Sequence, residues 1–116
     1  MAELKVKLQV LHGDEIAFGP GKADLLEAVA QTGSIAAAGR ALSLSYRRTR
    51  DMIDTLNHCW QGPLVETAKG GSSHGGTVLT PLGQQVLAAY RAAALELRET
   101  AHRHTALLKL LGNAVQ

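Results

Sequence analysis

Apolar positions change period several times along this chain, and each change marks an element. Leu4, Val6, Leu8 and Val10 alternate with Lys5, Lys7 and Gln9. Period two predicts a half-buried strand over Leu4–Val10. Gly13-Asp14 is a turn signal, and Ile16-Ala17-Phe18 supplies a return strand, so the amino end reads as a β-hairpin. Gly19-Pro20-Gly21 breaks the chain. From Lys22 to Thr32, Leu25, Leu26, Val29 and Ala30 follow helical spacing.

Two further helix starts come in quick succession. Gly33 suits the left-handed end of the first helix, and Ser34 suits the cap of the next. Ile35, Ala38 and Leu42 give that second helix one apolar face. Ser43-Leu44-Ser45 interrupts it, and Ser45 can cap a third helix running from Tyr46 to about Trp60. Thr49, Ile53, Leu56 and Trp60 share one face of it and should enter the core. Arg47, Asp51, Asp54 and His58 then point outward, Arg48 and Arg50 lie on the flanks, and Tyr46 falls nearer the core side.

Gly62-Pro63 ends this region. Leu64–Thr67 and Thr77–Leu79 read as two strands joined by the glycine-rich loop Lys69–Gly76. Thr80 caps and Pro81 opens a last helix. Leu82, Val86, Ala89, Ala93, Leu97, Ala101 and Leu108 form its stripe, and no strong breaker follows Gly83 until Gly112-Asn113. About 30 residues make a rod of roughly 45 Å. That exceeds what a small domain covers with its own core, and a second copy of the chain is the simplest partner. Ala93, Leu97, Ala101 and Leu108 are the expected dimer contacts.

The fold class is therefore mainly α with small β: a winged helix-turn-helix with an amino-terminal hairpin. Residues 1–80 form the winged domain and 81–116 the long helix. At 116 residues one compact unit is the default. No apolar run is long enough for a transmembrane helix, and the amino end lacks the apolar block of a signal peptide. The single Cys59 excludes an intramolecular disulfide and fits a reducing, cytoplasmic setting. Beside Trp60 it reads as a packed thiol.

Charge sharpens this picture by its distribution. The net charge is only +2, yet Arg40 to Arg50 holds four arginines and one acid-free run. A cationic start on the second helix of a helix-turn-helix fits the major groove of double-stranded DNA, where arginine donates two hydrogen bonds to a guanine edge. The candidate DNA-contacting residues are Ser34, Arg40, Ser45, Tyr46, Arg47, Arg48, Arg50 and Asp51, with Lys69 and His74 in the wing. Asp51 can orient Arg47 or accept from cytosine. The plain alternative for the arginines is a solvated helix face with Arg47–Asp51 and Arg50–Asp54 pairs, four residues apart. The glycine run lacks the GK[ST] of a phosphate-binding loop. His102 and His104 stand about 200° apart around a helix and cannot share one metal ion there, so no metal or cofactor is expected. No Ser/His/Asp set, carboxylate pair or CxxC motif points to an enzyme.

GSIAAAGRALSLSYRRTRDMIDTLN, then GPLVE, then TAKGGSSHGGTVLTPLG resemble the amino-terminal DNA-binding domain of the molybdate-responsive ModE regulators, a winged helix-turn-helix related to that of LysR-type proteins. The resemblance spans roughly Lys22 to Tyr90. It implies a transcriptional regulator in which Ser45, Tyr46, Arg47 and Arg48 open the recognition helix and Lys69 through Gly76 form the wing. ModE proteins continue into oxyanion-binding domains, whereas this sequence stops at Gln116, so no molybdate site is expected in it. The expected function is sequence-specific binding of an inverted-repeat operator as a homodimer. The competing expectation is a winged-helix protein-interaction module without direct DNA readout.

Overall fold

The computed structural model describes residues 2–67 and 76–112. Two antiparallel strand pairs and four helices follow in the order β1 (Val10–His12), β2 (Glu15–Phe18), α1 (Pro20–Thr32), α2 (Ile35–Ala41), α3 (Tyr46–His58), β3 (Val65–Thr67), β4 (Thr77–Leu79) and α4 (Pro81–Arg103). A single 3-10 turn at Leu108–Leu110 comes last. The fold is helix-rich, with the strands in two separate two-stranded sheets.

The caps follow the sequence closely. Ser34 Oγ accepts from the Ala37 N–H at 3.1 Å, Ser45 Oγ from Arg48 at 3.0 Å and Thr80 Oγ1 from Gly83 at 2.9 Å. Each satisfies a helix-start donor that would otherwise lack a partner. Gly33 closes α1 with φ of 70°, and its N–H bonds the Val29 carbonyl. α1 begins two residues before the expected Lys22, since Pro20 needs no N–H partner at a first helical position.

The amino-terminal hairpin is shorter than expected. Only Val10–His12 pairs with β2, with Val10 opposite Phe18, Leu11 opposite Ile16 and a bulge between them. The tight turn at Gly13-Asp14 consumes β2 within four residues, and Pro20 then starts α1. Among the described residues no strand pairs with Leu4–Gln9. Leu8 instead packs against the core, and its carbonyl accepts from the Tyr90 hydroxyl at 2.8 Å.

Phe18, Leu25, Leu26, Val29, Leu56 and Leu64 are fully buried, with α1 central among them. Phe18 meets Trp60 and Tyr90 edge-on, at ring-centroid distances of 6.0 and 5.0 Å. Asn57, the penultimate residue of α3, accepts from the Leu64 and Val65 N–H groups at 3.0 Å each. It pins β3 to α3.

α4 departs from expectation in extent. It has 23 residues, about 35 Å, and stops at Arg103 instead of continuing to Gly112. Helices draw most of their stability from packing, and the last core contact on α4 is Ala94. The weak helix formers His104 and Thr105 follow its end. Gly83 and Tyr90 are buried on α4, and Leu82 and Val86 of the expected stripe pack against the core together with Leu87 and Ala94. Ala89 and Ala93 are exposed, Leu97 is 44% exposed, and Ala101 is half-buried. Leu108 is half-buried but belongs to the separate 3-10 turn, so the stripe expected through it does not run on one helix.

Candidate nucleic-acid interface

α2 and α3 are joined by the four-residue turn Leu42–Ser45, in which Ser43 takes a left-handed φ of 60°. Gly39 is the residue that lets the two helices meet. A Cβ there would overlap the Thr49 side chain. Thr49 is fully buried, and its hydroxyl donates to the Ser45 carbonyl at 2.8 Å. Ile53 and Leu56 continue the buried face of α3, as its apolar spacing requires.

The opposite face is open. Arg47, Arg48, Arg50 and Asp51 are exposed, as are Ser45 at the cap and Arg40 at the end of α2. Ser34 is half-buried at the start of α2, where its hydroxyl is engaged as a cap. Tyr46 is 64% exposed instead of lying toward the core. Helical side chains lean toward the amino end, so a residue at the first position of α3 reaches past the last packed layer into solvent.

The arginines have no acidic partners among the described residues. The ion pairs there join His58 to Glu15, and Arg91 to Asp24 and Glu27. Neither Arg47–Asp51 nor Arg50–Asp54 forms. Lys22, in the first turn of α1, adds a charge that sequence reading missed. Partial burial first, then the nearby Arg48 charge, pushes its ammonium below the ordinary lysine range. A cation in the first turn of a helix opposes the helix dipole, and that mismatch is the one sequence signal that could have marked it. Lys69 and His74 lie outside the described residues. β3 and β4 pair Val65 with Leu79 and Thr67 with Thr77, and the Thr77 N–H donates to the Gly33 carbonyl at 2.8 Å. That bond ties the strand pair to the start of α2.

The carboxyl end of α3 is built differently. The Glu15 carboxylate lies 2.8 Å from His58 Nε2 and accepts from the Cys59 thiol at 3.4 Å. The His58 bond draws the Glu15 carboxyl below the ordinary range and lifts the His58 imidazole above its own. Burial first, then Glu15, pushes the Cys59 thiol up. Glu15 is 43 residues from His58, so no local spacing joins them in the sequence.

No helix of the described residues is long and apolar enough to cross a membrane.

No family model matches the chain. It is similar to the molybdenum-pterin-binding protein MopB of Rhodobacter capsulatus, with 41% identity over 83 residues, 72% of this chain and 31% of MopB. It is 42% identical over 79 residues to the molybdenum transport protein ModE of Azotobacter vinelandii, covering 68% of this chain and 29% of that protein. Against the DNA-binding transcriptional dual regulator ModE of Escherichia coli strain K12 the identity is 34% over 87 residues, 75% of this chain and 32% of the regulator. The matches thus span about a third of each relative's length, and none of these relatives is named for an enzymatic activity.

Proposed function

We propose that the chain is a ModE-type, sequence-specific DNA-binding module that regulates transcription. In this reading α1, α2 and α3 with the β3–β4 pair form a winged helix-turn-helix, and α3 enters the major groove. The observation that carries it is the amino end of α3, where Tyr46, Arg47, Arg48 and Arg50 are exposed together and the arginines lack acidic partners among the described residues. Unpaired arginines are available to guanine edges and phosphates without first breaking an ion pair. The similarity to a regulator named for DNA binding supports the same reading.

The test is selection of bound sequences from random duplex DNA, followed by affinity measurement across salt concentrations. If Arg47 reads a guanine, its removal costs about 1–3 kcal/mol at one base per half-site. Arg47→Ala with Arg48→Ala should therefore lose affinity by roughly tenfold or more and flatten the salt dependence. A protein-interaction module predicts no salt-dependent binding to random DNA at all. Unchanged affinity and selectivity in the double variant defeats the assignment.

The same reading includes a homodimer through α4. Leu97 is 44% exposed, and Ala89 and Ala93 lie bare on the same helix face. Each leucine buried is worth roughly 1.5–3 kcal/mol, counted on both protomers. A two-fold pair would set recognition helices about 34 Å apart on an inverted repeat. Leu97→Glu with Ala101→Glu should yield a monomer by light scattering and weaken operator binding. A wild type that is monomeric at tens of micromolar, about the range where weak dimers form, removes this part of the proposal.

A further inference from the structure

The cluster at the carboxyl end of α3 has the composition and spacing of a metal site. Glu15, His58 and Cys59 each present one donor atom, and the three atoms lie within 4.8 Å of one another. His58 Nε2 is 2.8 Å from Glu15 Oε1 and 3.0 Å from Oε2, and Cys59 Sγ is 3.4 Å from Oε1. Ligands of a tetrahedral zinc ion, bound at about 2.0–2.3 Å, are separated by roughly 3–4 Å. Small rotamer changes thus suffice to admit an ion between them. Glu15 and His58 face solvent, which gives an entry path, and Cys59 is buried behind them. The donors come from two directions, β2 and the end of α3.

We propose that Glu15, His58 and Cys59 form a binding site for a divalent ion of the zinc class. Sulfur, imidazole and carboxylate are the donors zinc takes, and three protein ligands leave a fourth position for water. His58 is the last residue of α3 and Cys59 its carboxyl-terminal cap. A dication there also meets the negative end of the helix dipole. On binding, the thiol S–H bond breaks and the S–metal bond forms, with the proton going to solvent. A protonated His58 must also release its Nε2 proton first. Other titratable groups stand near the cluster. His12 lies opposite Glu15 across the hairpin, Lys22 of α1 faces Glu15 and Cys59, and Asp54 stands a turn before His58. Lys22 favours the thiolate that the ion needs, and it opposes the added positive charge. The bound ion would clamp the carboxyl end of α3 to the hairpin.

The experiment titrates the full reduced chain with Co2+, then competes with Zn2+. The expected result is one ion per chain with a near-ultraviolet sulfur-to-cobalt charge-transfer band. Cys59→Ser should lose the band, and the surface variant His58→Gln should lose at least about tenfold in affinity while keeping its far-ultraviolet dichroism, since removing even a residue that only supports a ligand costs 10–100-fold. His102→Gln with His104→Gln should bind as wild type. Absence of the band in the wild type overturns the site. So does wild-type affinity in folded His58→Gln, or loss of binding confined to the His102/His104 variant.

Discussion

α3 is thirteen residues long, and its two ends follow opposite rules. At the amino end a serine cap holds the backbone while the exposed arginines have no acidic partners among the described residues. At the carboxyl end His58 and Cys59 are engaged by Glu15 from another element, and Asn57 is spent on β3. Pairing charges within a fold fixes geometry; leaving them unpaired keeps them available to something else. One helix thus carries an end tied to its own protein and an exposed end, joined by a buried middle.

The largest effect on this arrangement should come from its middle. Gly39→Ala forces a methyl into the Thr49 side chain. Overpacking of this kind costs typically about 1–3 kcal/mol. Thr49 is bonded to the Ser45 carbonyl, so the displacement should reach the open end first. Chemical denaturation should show the loss of stability, and DNA affinity measured well below the transition should fall with it. If stability drops and DNA binding by the folded fraction does not, the middle does not set the open end.

A smaller effect should be confined to the open end. Ser45→Ala removes the hydroxyl that accepts from Arg48. Loss of such a cap costs about 1 kcal/mol. Amide hydrogen exchange should quicken in the first turn of α3 and stay unchanged at Asn57–Cys59. Equal quickening at both ends would mean that the helix frays as one unit and that the two ends are not independent.

How much of this was legible in the sequence follows the range of the interactions. Ser34, Ser45 and Thr80 act on N–H groups three residues away, so caps and helix starts could be read locally. The buried face of α3 was equally plain from Thr49, Ile53 and Leu56. What could not be read depends on distant partners. Tyr90, anchored on Leu8 across 82 residues, adds a buried residue that the apolar stripe of α4 did not include. Alternation at Leu4–Val10 marked an extended segment, yet strand pairing needs a second strand, and Pro20 had already ended it. At the candidate interface, the arginines were visible as a run, whereas their lack of acidic partners and the nearness of Lys22 to Arg48 emerge only in three dimensions. The Glu15–His58–Cys59 cluster joins residues that no motif would connect.

The smallest effect should belong to the tied end, and pH isolates it. The His58 pKa is raised, chiefly by its bond to Glu15. Its contribution to stability is therefore fully present below the unfolded value of about 6.5 and is lost as pH rises through the higher folded value. The Glu15 pKa is lowered, chiefly by the same bond. Its contribution is present above the unfolded value of about 4.3 and is lost as pH falls through the lower folded value. Both are complete only between those unfolded values. His12 and Asp54 stand near the pair, so the informative quantity is the wild-type melting temperature minus that of His58→Gln, measured without metal. This difference should peak between about pH 4.3 and 6.5 and shrink on both sides. Both groups are largely solvent-exposed, so the peak should be low and fall further with added salt. A difference that is flat from pH 3 to 9, spanning roughly the ordinary carboxylate and imidazole ranges, would show that the ion pair adds nothing. Packing of Cys59 and Trp60, together with the Asn57 bonds, would then hold the tied end.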